Sequence, residues 1–150
     1  MSKKHQDEIG NLFLVDMEEA QVPHNKGVWL YAPWPPSVNS IWRAIRRGDH
    51  ATIILSKVGR EYFAKATETL KQQARLAGLK TFENHVKVFV ELSPPDARKR
   101  DADNPIKPIF DVLQKANIVI NDSIIKDYRV RWHAPDRPGG RVVIYVEEIE

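Results

Sequence analysis

Arg100-Asp101-Ala102-Asp103-Asn104-Pro105-Ile106-Lys107 marks the place where a strand gives way to a helix, and the rest of the chain is read outward from it. Upstream, Val86 to Leu92 has the alternation of a strand and runs through Pro94-Pro95 into the basic run Arg98-Lys99-Arg100. Downstream, a helix over about 105–116 sets Ile106, Ile109, Phe110 and Leu113 on one side. Asn104 and Pro105 read as its N-cap and first helical position, and Asn117 is suited to end it in a left-handed conformation. In an extended backbone, residues two apart share a face, so Asp101 and Asp103 are expected to converge. Lys107 follows one helical turn later. Two acids on a strand end with a lysine on the next helix suit a hard metal ion and a phosphate.

Towards the N-terminus, Val28 to Ala32 reads as a first strand stopped by Pro33-Trp34-Pro35-Pro36. Ser37 to Asp49 is an arginine-rich loop or short helix holding Arg43, Arg46 and Arg47, and Ala51 to Leu55 is a second strand. Ser56 then caps a helix over 57–77, with Val58, Tyr62, Phe63, Ala66, Leu70, Ala74 and Ala77 at helical spacing and Gly78 as its left-handed stop. Towards the C-terminus, Asp127 to His133 and Arg141 to Glu147 are β-rich, and Pro138-Gly139-Gly140 between them indicates a hairpin. The expected architecture is an α+β domain over residues 28–150, a mixed and largely antiparallel sheet with two helices on one face. Residues 1–27 form an N-terminal extension with an amphipathic piece around Leu12-Phe13-Leu14-Val15.

At 150 residues and 42% apolar composition the chain is long enough to bury a core unaided. It has no cysteine, which excludes disulfides and thiolate zinc and fits a cytoplasmic location. No run resembles a signal peptide, and apolar stretches of four or five residues cannot cross a membrane as helices. The net charge of +3 hides an asymmetry, because the acidic ends leave 21 basic against 12 acidic residues between positions 22 and 146. That balance fits either a polyanionic partner or an ordinary basic surface. The five histidines are scattered, and the absence of a glycine-rich phosphate loop argues against ATP use.

A third acid, Asp122, lies in the turn Asn121-Asp122-Ser123 after Ile118-Val119-Ile120, where the chain returns toward the sheet. If it faces Asp101 and Asp103, three carboxylates can hold Mg²⁺ or Mn²⁺ for phosphodiester hydrolysis, with Lys107 on a phosphate oxygen. The competing reading pairs Asp101 and Asp103 with Arg98, Lys99 and Arg100 on a solvated face and leaves Asp122 an ordinary turn residue. Asp111, four residues after Lys107, can simply pair with it. Trp34 and Trp42 either stack on bases or pack within the protein.

The series Pro33-Trp34-Pro35-Pro36-Ser37-Val38-Asn39-Ser40, Leu55-Ser56-Lys57, Arg100-Asp101-Ala102-Asp103-Asn104 with Lys107, Asp111 and Leu113, Asn121-Asp122 and Asp127-Tyr128 resembles the RusA family of Holliday junction resolvases. The resemblance runs over about residues 28–148, and its most specific part is D-x-D-N-x-x-K-x-x-x-D-x-L with the later acidic turn. It implies a Mg²⁺-dependent homodimer that cuts four-way DNA junctions by paired symmetric nicks. It also implies that Asp101, Asp103 and Asp122 are catalytic metal ligands assisted by Lys107. Asn121 stands where other members often carry a second acid, and the long N-terminal extension departs from the family pattern. Arg98, Lys99, Arg100, Arg43, Arg46 and Arg47 are the candidate DNA contacts. The rival functions are a less selective nuclease for forks or flaps and a DNA-binding protein without activity.

Overall fold

A computed structural model describes residues 27–150; the N-terminal extension up to Lys26, with its Leu12–Val15 stretch, lies outside the described residues. Six strands and three helices follow in order: β1 (Gly27–Ala32), α1 (Val38–Ile41), β2 (Trp42–Arg47), β3 (His50–Leu55), α2 (Lys57–Ala77), β4 (Val86–Ser93), α3 (Ile106–Lys115), β5 (Ile125–Trp132) and β6 (Arg141–Glu148). The main sheet has the order β1-β6-β4-β5, and β2 pairs with β3 as a separate two-stranded ribbon. β6 runs antiparallel to both β1 and β4, whereas β5 runs parallel to β4. The expected α+β class and mixed, largely antiparallel sheet are thus observed.

The expected hairpin between the last two β segments is not. β4 lies between β5 and β6, so the Pro138-Gly139-Gly140 turn carries the chain across the central strand. The reason is visible in β4 itself: every residue of Val86–Ser93 except Lys87 is buried. A strand with so little polar surface is stable only between two neighbours.

Alternation along the strands sends two sets of side chains to opposite faces. Val86, Val88, Val90 and Leu92 of β4, Val142, Ile144 and Val146 of β6, and Leu30 of β1 pack with Tyr62, Phe63, Ala66 and Leu70 of α2 and Ile109, Val112 and Leu113 of α3. Phe89, Val143 and Tyr145 form a smaller cluster on the other face with Trp29 and Tyr31. The two long helices therefore share one face of the sheet.

α2 follows its sequence closely. The Ser56 hydroxyl accepts the Gly59 N–H at 3.0 Å, and Gly78 closes the helix at φ 61°. Val58 and Ala77, expected on the buried stripe, are exposed because they lie in the first and last turns, beyond the sheet. Gln73 fastens α2 to the edge strand: it accepts the Tyr31 N–H at 2.8 Å and donates to the Tyr31 carbonyl at 2.7 Å.

The region from Ser37 to Asp49 is partly helix and partly strand, with α1 leading directly into β2. Its root is locked to α2 by a close approach. A Cβ on Gly59 would fall 2.5 Å from the Ile41 carbonyl oxygen, closer than any real contact. Gly59→Ala is therefore expected to destabilise the fold by about 1–3 kcal/mol as overpacking. Chemical denaturation checks this, and an unchanged midpoint would mean that the ribbon root yields freely.

Candidate active site

Arg100-Asp101-Ala102-Asp103-Asn104-Pro105 joins the sheet to α3, but not in the extended form the sequence suggests. The Asn104 N–H donates to the Asp101 carbonyl at 3.2 Å and the Ile106 N–H to the Asp103 carbonyl at 3.1 Å, so the segment is a tight turn. α3 begins at Ile106 without a side-chain cap, and Pro105, already at φ −76° and ψ −13°, precedes it. Asn104 is not spent as a cap. Its side-chain oxygen accepts the Val38 N–H at 3.1 Å, tying this turn to the start of α1.

A turn does not keep residues two apart on one face, and Asp101 and Asp103 line different cavities. Asp101 lines a cavity of about 250 Å³ with Trp34, Asn39, Lys99, Arg100 and Asn104. Asp103 lines a separate open groove with Lys107, Phe110 and Tyr128. Both carboxylates belong to exposed residues.

Lys107 connects distant parts of the chain. Its ammonium lies 2.8 Å from Asp111 Oδ1, one turn along α3, and 3.4 Å from Asp122 Oδ2. The hydrogen bond to Asp111, ahead of the weaker contributions from Asp122, holds the lysine above its ordinary pKa. Asp122 opens a 3₁₀ turn over Asp122–Ile124, in which Asn121 accepts the Ser123 N–H at 2.8 Å. Gln114 of α3 accepts the Asp122 N–H at 3.0 Å and so fixes the turn against the helix. The Asp111 pairing expected from its spacing is thus present, but Asp122 shares the same cation.

Among the described residues no group of three or more acidic or histidine side chains is gathered closely enough to hold a metal ion. Asp122 and Asp111 both pair with Lys107. α3 lies in the chain between the Asp101–Pro105 turn and the Asp122 turn, and Lys107 near its start reaches the second of them.

The basic residues divide into two groups. Arg43, Arg46 and Arg47 are exposed along β2 and Lys99 is exposed near Asp101. Arg98 and Arg100 are both engaged by Asp96, at 3.0 Å and 2.8 Å. Arg100 is also 5.7 Å from the centre of the Trp34 ring, which itself packs against Trp132 at 5.8 Å. Trp34 is therefore a packing residue with a cation on one side, whereas Trp42 is 44% exposed. The Asp96 carboxyl is held well below the usual carboxylate range, first by the Arg98 side chain and backbone, then by Arg100. Sequence reading passed over Asp96, although an acid two and four residues before arginines is the available signal.

The family profile described as "Endodeoxyribonuclease RusA" matches residues 33–147. The chain is 36% identical over 117 residues to the crossover junction endodeoxyribonuclease RusA of Shigella sonnei strain Ss046, covering 78% of this chain and 91% of that protein. The proteins of the same name in Escherichia coli strain K12 and in Enterobacteria phage 82 are each 35% identical over the same shares. This chain belongs to the RusA family of endodeoxyribonucleases.

Proposed function

We propose that this protein is a divalent-metal-dependent endodeoxyribonuclease that resolves four-way DNA junctions as a cytoplasmic homodimer, by paired symmetric nicks. The observation that carries the reading is Lys107, whose ammonium joins the helix after the Asp101–Asp103 turn to Asp122 at 3.4 Å in a chain of this family. Asp101, Asp103 and Asp122 would hold Mg²⁺, or Mn²⁺ in its place. The donor chemistry fits, because carboxylate oxygens are the ligands such hard ions take. Asp101, Asp103 and Asp122 form no metal-holding cluster among the described residues, so sharing an ion requires their carboxylates to turn toward it. When bound, the ion supplies Lewis-acid stabilisation of the phosphoryl charge and lowers the pKa of a water.

The chain's own residues do the positioning. Lys107 offers a fixed ammonium to a non-bridging phosphate oxygen, with Asp111 holding it in place. Arg43, Arg46, Arg47 and Lys99 face solvent and offset the repulsion between the acids and the DNA backbone. A twofold dimer presents two equal sites to a substrate that itself has near-twofold symmetry.

Purified protein incubated with a synthetic four-way junction, a fork and a linear duplex, with and without Mg²⁺, tests the proposal. Symmetric nicks across the junction, confined to the Mg²⁺ reactions and leaving 5′-phosphate and 3′-hydroxyl ends, are expected. Equal cutting of fork or duplex would make it a less selective nuclease. Junction binding with no cutting would leave only a DNA-binding protein.

A further inference from the structure

We propose that the groove between the start of α3 and the edge strand β5 seats an unpaired nucleobase of the DNA substrate, stacked on Tyr128 beside the phosphate met by Lys107. The inference rests on the junction-cutting reading above and adds to it a base-binding site.

The groove is open and holds about 500 Å³, with Ile106, Phe110 and Val130 as an apolar floor and Asp103 and Lys107 at the rim. Tyr128 is 56% exposed, one of few large apolar side chains left in solvent among the described residues. It sits on β5, which has a sheet neighbour on one side only. Its ring meets Phe110 edge-on, with centres 5.2 Å apart and planes at 88°, so its orientation is set by packing. A ring already held in place loses little side-chain entropy when a base stacks on it. The neighbouring cation supplies what an apolar shelf lacks, a partner for the phosphate attached to that base.

Physical chemistry then narrows the occupant. Every base has a π-face, so stacking tolerates any sequence. A base inside continuous duplex is stacked on both sides, and extracting it costs a few kcal/mol, whereas one at a strand exchange is released at lower cost. A shelf beside the proposed scissile phosphate therefore favours branched over linear DNA without reading sequence. It requires one face of Tyr128 to be accessible in the DNA-bound protein.

Photocrosslinking tests this directly, using full-length protein without Mg²⁺ and four-way junctions carrying 5-iododeoxyuridine at the branch point. A crosslink mapped to Tyr128 by mass spectrometry is expected, and crosslinking only to other residues would overturn the proposal. In equilibrium binding, Tyr128→Ala and Tyr128→Leu should each weaken junction affinity roughly five- to a hundredfold, with Tyr128→Phe close to wild type. Affinity for linear duplex should stay unchanged in all three. Leucine fills the space against Phe110 but has no π-face, so a leucine variant that binds the junction as wild type does would reduce Tyr128 to a packing residue. These measurements involve no cleavage and so stand apart from the nuclease reading. A Tyr128 crosslink in a protein that never cuts keeps the base site and removes the nuclease, and cutting with an inert Tyr128 does the reverse.

Discussion

Asp103→Asn is expected to lower cleavage of a four-way junction by at least about 10³-fold, because metal stabilisation of the transition state is worth several kcal/mol and each 1.36 kcal/mol is tenfold in rate. The substitution keeps the side chain's shape and removes its charge. Asp103 is exposed, and in the turn its backbone carbonyl accepts the Ile106 N–H, a hydrogen bond that asparagine retains. Thermal unfolding should therefore be unchanged. Junction binding without Mg²⁺ should be equal or slightly tighter, since a negative charge beside the phosphate is gone. Single-turnover cleavage and a gel-shift titration check both halves. A variant that cuts normally removes Asp103 from the metal set, and one that unfolds assigns it a structural role.

Lys107→Ala separates the two partners of that lysine. Losing a charge-assisted contact of about 1.5–3 kcal/mol is expected to slow cleavage by roughly ten- to a hundredfold. The slope of log affinity against log salt should become shallower by about one, as for the loss of one phosphate contact. Metal affinity should move the opposite way. The ammonium now neutralises Asp111 at 2.8 Å and Asp122 at 3.4 Å, and its removal leaves both carboxylates more attractive to a divalent cation. Slow cutting with Mn²⁺ binding equal to or tighter than wild type is the expected pattern. Arginine at this position should restore only part of the rate, because a planar fork cannot reproduce a point charge between two acids. Wild-type cleavage by the alanine variant would show that Lys107 only pairs with Asp111 and Asp122.

How much of this was legible in the sequence depends on whether the signal was local. α2 could be read almost residue by residue, because a serine cap, an apolar stripe through Tyr62, Ala66 and Leu70, and a terminal glycine all act within a few turns. Asn117, at φ 57°, ended α3 as its residue type suggested. Sheet order was not legible. The glycine-rich turn after Pro138 resembles a hairpin turn, and only the two-sided burial of β4 shows that β6 crosses it. β2 escaped notice because arginines and Trp42 occupy both of its faces, which leaves no alternation to detect.

The candidate site shows the same division. The residue types in D-x-D-N-x-x-K pointed to phosphate chemistry, but their placement depended on a turn that the strand pattern did not foretell. Asn104 illustrates the point: it had the right identity for a helix cap and instead serves a backbone donor 66 residues away. Lys107 is the element whose role was most nearly readable, being one helical turn from the acid it binds.

Mn²⁺ binding followed by electron paramagnetic resonance, comparing wild type with Asp101→Asn, Asp103→Asn, Asp122→Asn and Asp111→Asn, is the most direct measurement of whether one divalent ion is shared across the Lys107 span. Each of the first three substitutions should weaken Mn²⁺ binding markedly, with Asp111→Asn weakening it far less. Wild-type affinity in Asp122→Asn would mean that the ion never reaches the far turn, and the proposed metal site would be wrong.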